Sequence, residues 1–359
     1  LQDVPRLGLA TAADATNPFS AYLNNALWAA RAVADGGDGD IRTKLSKETV
    51  GDTASLLLQT AFSGRAEIGL AGDDDLHVKV SADGSAWREA LTIDRASGRV
   101  SFPGGGVREV LTGDRTYHVR TDGSDANSGL ADTAGGAFAT IQRAVDAVAA
   151  LDCGVFQATI QIADGTYTGQ IALRAPLASL PPIIRGNAGT PANVIVDTAA
   201  VACMNDGGGT WVVRDLKITT SAGHAMHAVN GGSIYFSNID FGDCAGYHLY
   251  AQAGGVLRAL GSYRITGGAG IHAAANGWII ISGVTVTYAN SPAFSVANFL
   301  VGRGGVLECF SMTFVNGGTV TGQRYIAVHC GVIFTSTGGS ATYVPGNAAG
   351  TVVTGAQYD

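Results

Sequence analysis

The sequence predicts an all-β protein whose larger part is a parallel β-helix. Three observations predict this fold: a Gly-Gly repeat recurs through the C-terminal half, strand-like alternation dominates elsewhere, and two segments alone have helical periodicity. Charged residues make up 14% of the 359-residue chain, while glycine contributes 51 residues. This composition is typical of short strands joined by tight turns rather than of long surface helices.

Two segments precede the repeat-bearing part of the chain. Residues 1–50 are rich in Ala and Asn, and 18-PFSAYLNNALWAARAVA-34 places apolar side chains at helical spacing after Pro18, so we expect a short helix there. Residues 51–103 alternate between apolar and polar positions, with hairpin turns expected at 83-DG-84 and 97-SG-98. The second segment is therefore predicted to be a small β-strand module.

Residues 104–157 are predicted to contain a linker, the first strand of the larger part and a capping helix. The helix is expected within 138–150, where Ile141, Ala144, Val145 and Val148 share one face. A solenoid core that is open at its end exposes an unpaired strand edge, so this helix is expected to cover it. Residues 158–359 are then the predicted β-helix.

The repeat starts at residues 208, 231, 254, 276 and 304, with a degraded sixth copy at 330-CGVIFTST-337. Aligning these starts produces columns of like residues, as expected for coils that each point the same side chains into a stacked core. One apolar column contains Trp211, Ile234, Leu257, Ile279, Leu307 and Ile333. A second contains Ile218, Phe241, Ile265, Val286 and Phe314, and the column of Lys217, Asp240, Arg264, Thr285 and Thr313 is expected to face outward.

Charge and composition exclude several partners. The formal net charge of −7 gives no general attraction to nucleic acid, and we predict no insertion into a membrane because no apolar run approaches about 20 residues. The five cysteines are widely spread and are expected to be buried thiols. We predict no cofactor or metal; 73-DDD-75 is interpreted as a solvated turn rather than a cation site, and 122-DGSDANSG-129 as a locally bonded loop.

The segments 122-DGSDANSGL-130, 138-FATIQRAVDA-147 and 164-DGTYTG-169 resemble the start of right-handed parallel β-helices of the pectate-lyase-like superfamily. The stretch 51–102 resembles a module of head or tail spikes and fibres of tailed bacteriophages and phage-derived gene transfer agents. These resemblances imply a right-handed β-helix on a virion-attached homotrimer. They also imply that residues 1–50 attach it to other virion proteins and that it recognises a cell-surface polysaccharide.

Two outward columns are candidates for binding and assembly. Counting back four residues from successive repeat starts places His227, Tyr250 and His272 in one row, which could stack against sugar rings or merely stabilise the solenoid. A half-apolar column is interpreted as the interface between subunits. It contains Val212, Tyr235, Ile280 and Phe334, together with Arg258 and Glu308.

Catalysis is the alternative to binding alone. Glycoside hydrolases use two carboxylates that flank one bond, and Asp215 and Asp240 lie on neighbouring coils but two positions out of column. Asp240 is better explained as part of a charge ladder between Lys217 and Arg264. We therefore expect a non-enzymatic spike that binds host capsule or lipopolysaccharide, with a glycan depolymerase and a structural connector as alternatives.

Overall fold

The structure is a computed structural model that describes residues 4–200, 202–335, 339–353 and 355–359, without the side chains of Cys203 and Asn205. The predicted buried thiol of Cys203 and the last two residues of the sixth repeat copy therefore lie outside the described residues. The chain divides into two compact units, residues 1–107 and residues 108–359. The fold is mostly β, with 46% strand and 5% helix.

The N-terminal segment contains little regular structure. Strands β1 (Leu7–Leu9) and β2 (Phe19–Ala21) pair in parallel, and Val33–Asp35 forms one 3₁₀ turn. The helix expected over residues 18–34 is therefore wrong. An amphipathic helix is stabilised mainly by packing its apolar face, whereas Leu23 and Leu27 are 52% and 89% exposed.

The small β module is a five-stranded antiparallel sheet, as the alternation predicts. Its strands pair in chain order, and the expected hairpin glycines, Gly84 and Gly98, have φ of 85° and 70°. The strands are β3 (Thr53–Thr60), β4 (Ser63–Ala71), β5 (Leu76–Ser81), β6 (Trp87–Ile93) and β7 (Val100–Ser101).

The second unit begins with strands β8 (Glu109–Val110) and β9 (Arg115–Val119), followed by helix α1 (Ile141–Ala149) and β10 (Leu151–Gly154). The capping helix is confirmed, and the four residues of its predicted face are buried. The Thr140 side chain accepts a hydrogen bond from the Arg143 amide at the helix start. Asp125 accepts bonds from the Thr140 amide and hydroxyl, so this side chain of the 122–129 loop contacts the start of the helix rather than the loop's own backbone.

A right-handed parallel β-helix of about eight turns follows over residues 152–358. Its strands stack coil upon coil in parallel register, except the short strand Leu177–Ala178, which pairs with β10 in a separate small sheet. They are β11 (Ala158–Ile162), β12 (Gly165–Tyr167), β13 (Ile171–Leu173), β14 (Leu177–Ala178), β15 (Ile183–Arg185), β16 (Val194–Thr198), β17 (Ala202–Asp206), β18 (Thr210–Thr220), β19 (His224–Ala228), β20 (Ser233–Cys244), β21 (Tyr247–Ala259), β22 (Tyr263–Ile265), β23 (Ala269–Ile280), β24 (Thr285–Tyr288), β25 (Phe294–Val301), β26 (Val306–Glu308), β27 (Thr313–Val315), β28 (Tyr325–Ala327), β29 (Val332–Phe334), β30 (Thr351–Val352) and β31 (Gln357–Tyr358).

The Gly-Gly pairs lie at turns between strands or, for Gly254-Gly255, at an irregular stretch within β21, and each glycine has its own physical reason. The first of each pair, Gly231 or Gly254, has φ of 80° or 78°, a conformation that other residues rarely adopt. A Cβ on the second, Gly232 or Gly255, would lie 2.4 or 2.1 Å from a carbonyl oxygen of the preceding coil. The repeat is therefore set by close stacking of one turn on the next.

The apolar column that starts at Trp211 is confirmed, because its six side chains are fully buried and pair in register. The second column holds as far as Ile265, which then pairs with Tyr288 instead of Val286. The outward column shifts likewise, since Arg264 pairs with Thr287 rather than Thr285. The three buried cysteines with described side chains fit the expected role, but Cys330 is exposed.

Candidate functional site

The predicted row on the outer surface is correct for two coils and wrong at the third. His227 pairs with Tyr250, and Tyr250 pairs with Ala274 rather than with His272. Gln252 pairs with Asn276, and Val256 pairs with Trp278. The stretch between the second two pairing partners is therefore two residues shorter than the stretch between Gln252 and Val256. Counting from the repeat start therefore displaced His272 by two positions, and the structure buries it completely.

Four rings form a compact surface cluster that we call the aromatic patch: His224, His227, Tyr247 and Tyr250. His224 stacks on Tyr247 with 4.6 Å between ring centroids, and His227 stacks on Tyr250 with 4.9 Å. The two stacks touch, because the His224 and Tyr250 centroids are also 4.9 Å apart. All four side chains are half-buried, so each ring keeps part of its surface open to solvent.

Hydrogen bonds hold the patch in one geometry. The Tyr247 amide donates to His224 Nδ1 over 3.1 Å, which fixes that ring nitrogen as an acceptor. Gln252 links the other stack, because its Oε1 accepts from the Tyr250 hydroxyl at 2.8 Å and its Nε2 lies 2.8 Å from His227 Nε2. The Gln252 amide donates in that contact, so His227 Nε2 is the acceptor.

The patch is electrically neutral at physiological pH. Partial burial, and next the neighbouring His227, lower the pKa of His224 to about 4. Burial likewise lowers the pKa of His227 and raises that of Tyr247. The four rings therefore present uncharged faces and neutral nitrogen and hydroxyl groups, which suits a polar but uncharged ligand.

Two members of the patch, His224 and Tyr247, are absent from the row that the sequence predicts. The signal was present as His-x-x-His at 224–227 and Tyr-x-x-Tyr at 247–250, with each pair separated by 23 residues, the length of one coil. Strict two-residue alternation places positions three apart on opposite faces. Within β19 and β21 that alternation is interrupted, because two consecutive residues between the rings are buried: Ala225 and Met226, or His248 and Leu249. A Cβ at Gly246 would lie 2.6 Å from His224 Nδ1, so glycine leaves room for the ring.

His272 instead belongs to a hydrogen-bonded chain inside the core. The Gly242 carbonyl can only accept, so His248 Nε2 donates to it over 2.9 Å and His248 Nδ1 accepts from His272 Nδ1 at 3.1 Å. His272 Nε2 then accepts from the Tyr263 hydroxyl at 2.9 Å. Burial lowers the pKa of His248 to about 4 and holds that of His272 well below its usual range. Both rings are neutral and unreachable by a ligand.

The column interpreted as an interface has the register that the sequence predicts. Val212, Tyr235, Arg258, Ile280, Glu308 and Phe334 pair successively from coil to coil. Phe334 is 43% exposed, and Trp278, two residues before Ile280 on the same strand, is 46% exposed. The Trp278 indole donates to Glu308 at 3.1 Å. This face of the β-helix is therefore predominantly apolar towards its C-terminal end.

The weak catalytic candidates, Asp215 and Asp240, are both nearly buried, at 7% and 5% exposure. Asp215 occupies a left-handed corner with φ of 65°, and its Oδ1 accepts from Asn238 at 2.8 Å. Asp240 accepts from the Thr266 hydroxyl at 2.5 Å. Its column neighbours are Lys217 and Arg264, as the ladder requires. A cleft of about 230 Å³ lies beside Asp240 and Arg264 under the loop 188–192.

The acidic triplet at 73–75 is used within the protein. Asp73 Oδ1 lies 2.7 Å from His77 Nε2, and Asp74 Oδ1 lies 2.9 Å from Lys47 Nζ. Among the residues that the structure describes, no group of three or more His, Cys, Asp or Glu side chains has an arrangement that could hold a metal ion. The described part of the chain likewise has no helix long and apolar enough to span a membrane.

Comparison with known proteins adds no assignment to this geometry. No family model, curated protein or solved structure matches the chain. Function is therefore argued from the aromatic patch and from the faces of the two units alone. The patch supplies stacking surfaces and neutral hydrogen-bonding groups at fixed positions.

Proposed function

We propose that this protein is a particle-borne spike or fibre that binds a host cell-surface polysaccharide, either capsule or lipopolysaccharide. The aromatic patch is the observation that carries the proposal. The C–H faces of sugar rings pack on aromatic side chains, while their hydroxyl groups bond to polar ring atoms and amides. His227, Tyr250 and Gln252 offer both kinds of contact within one rigid surface.

The neutrality of the patch favours a glycan over an anionic partner such as nucleic acid. The depressed pKa of His224 and His227 leaves no cation in the patch to attract phosphate at neutral pH. The rings also come from adjacent coils, which stack about 4.8 Å apart. An extended chain that runs along the solenoid would therefore meet the rings in succession.

Location on a virion or gene transfer agent surface rests on the resemblance of residues 51–102 to spike and fibre modules. In this proposal residues 1–50 contact other particle proteins, and three copies associate through the column that contains Val212, Tyr235, Ile280 and Phe334. Three equivalent patches on one spike would bind a repetitive polysaccharide cooperatively, because the second contact becomes intramolecular. Individually weak sugar sites are then sufficient for adsorption.

Binding without cleavage is favoured over a depolymerase of the same architecture. A retaining or inverting glycosidase needs two carboxylates that can reach the scissile bond. Asp215 is bonded to Asn238 and Asp240 to Thr266, and both carboxylates are nearly inaccessible to a ligand. A third possibility is a structural connector that binds no ligand, and a measurement of glycan binding separates it from the other two.

The test is a titration with short oligosaccharides released from host capsule or lipopolysaccharide, because monovalent fragments remove any effect of subunit association. We expect Tyr250→Ala and His227→Ala each to weaken binding about tenfold or more, in line with a lost stacking contact of about 1–1.5 kcal/mol. Tyr235→Ala, a half-buried tyrosine on another outer column, is the matched control and should leave affinity unchanged.

Three results would contradict the proposal. Equal loss in the patch variants and the Tyr235→Ala control would mean that the patch is not the site. No binding of any surface glycan by the wild-type protein would favour the connector. If the wild-type protein shortens the polysaccharide and Asp215→Asn or Asp240→Asn abolishes that shortening, the protein is a depolymerase.

A further inference from the structure

The five-stranded sheet of the N-terminal unit has one predominantly apolar face, on which Arg88 pairs with Val80 as the charged exception. Cross-strand pairing places alternate residues of all five strands on the same side. This apolar face consists of Ala54, Leu56, Leu58, Ala66, Ile68, Leu70, Leu76, Val78, Val80, Leu91, Ile93 and Val100. A run of twelve apolar side chains over five strands is the pattern of a sheet face that packs against another layer.

That face has no cover in the described chain. Leu56, Leu58 and Val100 are 59%, 49% and 49% exposed, and Ile68 and Val80 in the two central strands are 42% and 44% exposed. Isolated apolar residues on a surface are ordinary, but a contiguous apolar sheet face marks an interaction surface.

The opposite face of the same sheet is satisfied within the chain, in contrast to the apolar face. His77 is 9% exposed and bonds Glu89 on the neighbouring strand at 2.8 Å. The Ser55 hydroxyl donates to Glu67 at 2.6 Å. The two faces therefore differ in kind, and the apolar one alone lacks a partner.

We propose that the apolar face is an interface between copies of this chain, in which it packs on the same face of a neighbouring copy. Two like sheets pack face to face at a preferred angle with interdigitating apolar side chains, so the face is complementary to itself. Five strands about 4.8 Å apart and six residues about 3.4 Å apart give roughly 500 Å² for each copy. Two such faces bury roughly 1,000 Å², which reaches the lower limit for a specific interface.

A second observation selects another copy of the chain over an unrelated protein. The β-helix carries its own exposed apolar surface, which includes Trp278 and Phe334. An unrelated partner would have to match one apolar face in each of the two units. Association of identical copies supplies a partner for both, because each copy presents the same two surfaces. The inference does not depend on glycan binding by the aromatic patch.

Sedimentation velocity of the full chain over micromolar concentrations tests the proposal. Because same-face contacts join copies in pairs, we expect a wild-type mass that is an even multiple of the chain mass, and six chains where the proposed trimer forms as well. Leu56→Lys and Val80→Lys, combined, should raise the dissociation constant about 100-fold or more, since like charges would meet across an apolar contact. Both positions are exposed in the single chain, so the lysines leave its fold intact. Leu57→Lys is the matched control, since Leu57 is 46% exposed on the opposite face of the same strand.

A monomeric wild-type protein would overturn the proposal, and so would full assembly of the combined lysine variant or equal dissociation of the Leu57→Lys control. Hydroxyl-radical labelling of the wild-type protein gives an independent measurement that needs no variant. Labelling of Leu56 and Val80 should fall as the protein associates at higher concentration, while labelling of Leu57 stays constant. Unchanged labelling of Leu56 would place the interface elsewhere.

Discussion

The buried chain of Tyr263, His272 and His248 predicts that the β-helix loses stability in mild acid. Both histidines are neutral in the folded protein, since burial lowers the pKa of His248 to about 4 and holds that of His272 well below its usual range. In the unfolded chain each takes up a proton near its ordinary pKa of about 6.5. The unfolded state therefore binds more protons below pH 6.5, and stability falls as the pH falls towards 4.

The size of this loss of stability follows from the folded and unfolded pKa values of His248. At pH 5 a histidine that is protonated when unfolded and neutral when folded costs about 2 kcal/mol relative to pH 7. His272 adds a loss of the same sign, and together the two histidines remove a large part of the about 5–15 kcal/mol that is typical of a folded domain. Protonation of His248 at Nδ1 removes the acceptor of the bond between the two Nδ1 atoms, and protonation of His272 at Nε2 removes the acceptor of the bond from the Tyr263 hydroxyl.

Urea unfolding at pH 7 and pH 5 measures this effect. The combined variant His248→Gln and His272→Gln keeps polar atoms that can reach the Gly242 carbonyl and the Tyr263 hydroxyl but removes both titrating groups. We expect it to be less stable than wild type at pH 7 and to lose at least about 2 kcal/mol less between pH 7 and pH 5. His329→Asn is the control, since His329 is exposed and Asn tolerates its φ of 50°.

The reasoning is refuted if the double glutamine variant and the wild-type protein lose the same free energy of unfolding between the two pH values. Single variants refine the comparison, because each should remove part of the difference. A change of slope in the His329→Asn control would instead mean that exposed histidines dominate the acid response.

Three further changes have expected outcomes. The two carboxylates beside His77 raise its pKa. The stability that His77 contributes is therefore fully present below about pH 6.5 and is lost as the pH rises through the folded pKa. Amide exchange in strand β5 should accelerate with rising pH in the wild-type protein, and less so in His77→Gln. Gly246→Ala pushes a methyl group against the His224 ring and should weaken oligosaccharide binding in the titration described above. Thr140→Ala removes the cap bond to the Arg143 amide and should cost about 1 kcal/mol, measured as a lower thermal midpoint.

The β-helix could be predicted from sequence because its signal repeats. Each Gly-Gly pair marks a place where the chain lies close to the preceding coil. Each inward column recurs in every coil as a buried apolar residue, for example Trp211 and then Ile234. The helix at residues 18–34 has no such redundancy. Its periodicity is real, but periodicity specifies a helix only where a surface exists to bury the apolar stripe, and Leu27 has none in the described chain.

The candidate site was predictable for the coils that share one turn length and not beyond them. Register in a parallel stack is set by the strands, so a connection shortened by two residues displaces the side chains before it by two positions relative to a count made back from the repeat start. That shift takes His272 off the surface and leaves Ala274 above Tyr250. The aromatic patch therefore ends after two coils on its C-terminal side. The same shift delivers a histidine to the core, where it is tolerated because His248 and Tyr263 meet both of its ring nitrogens.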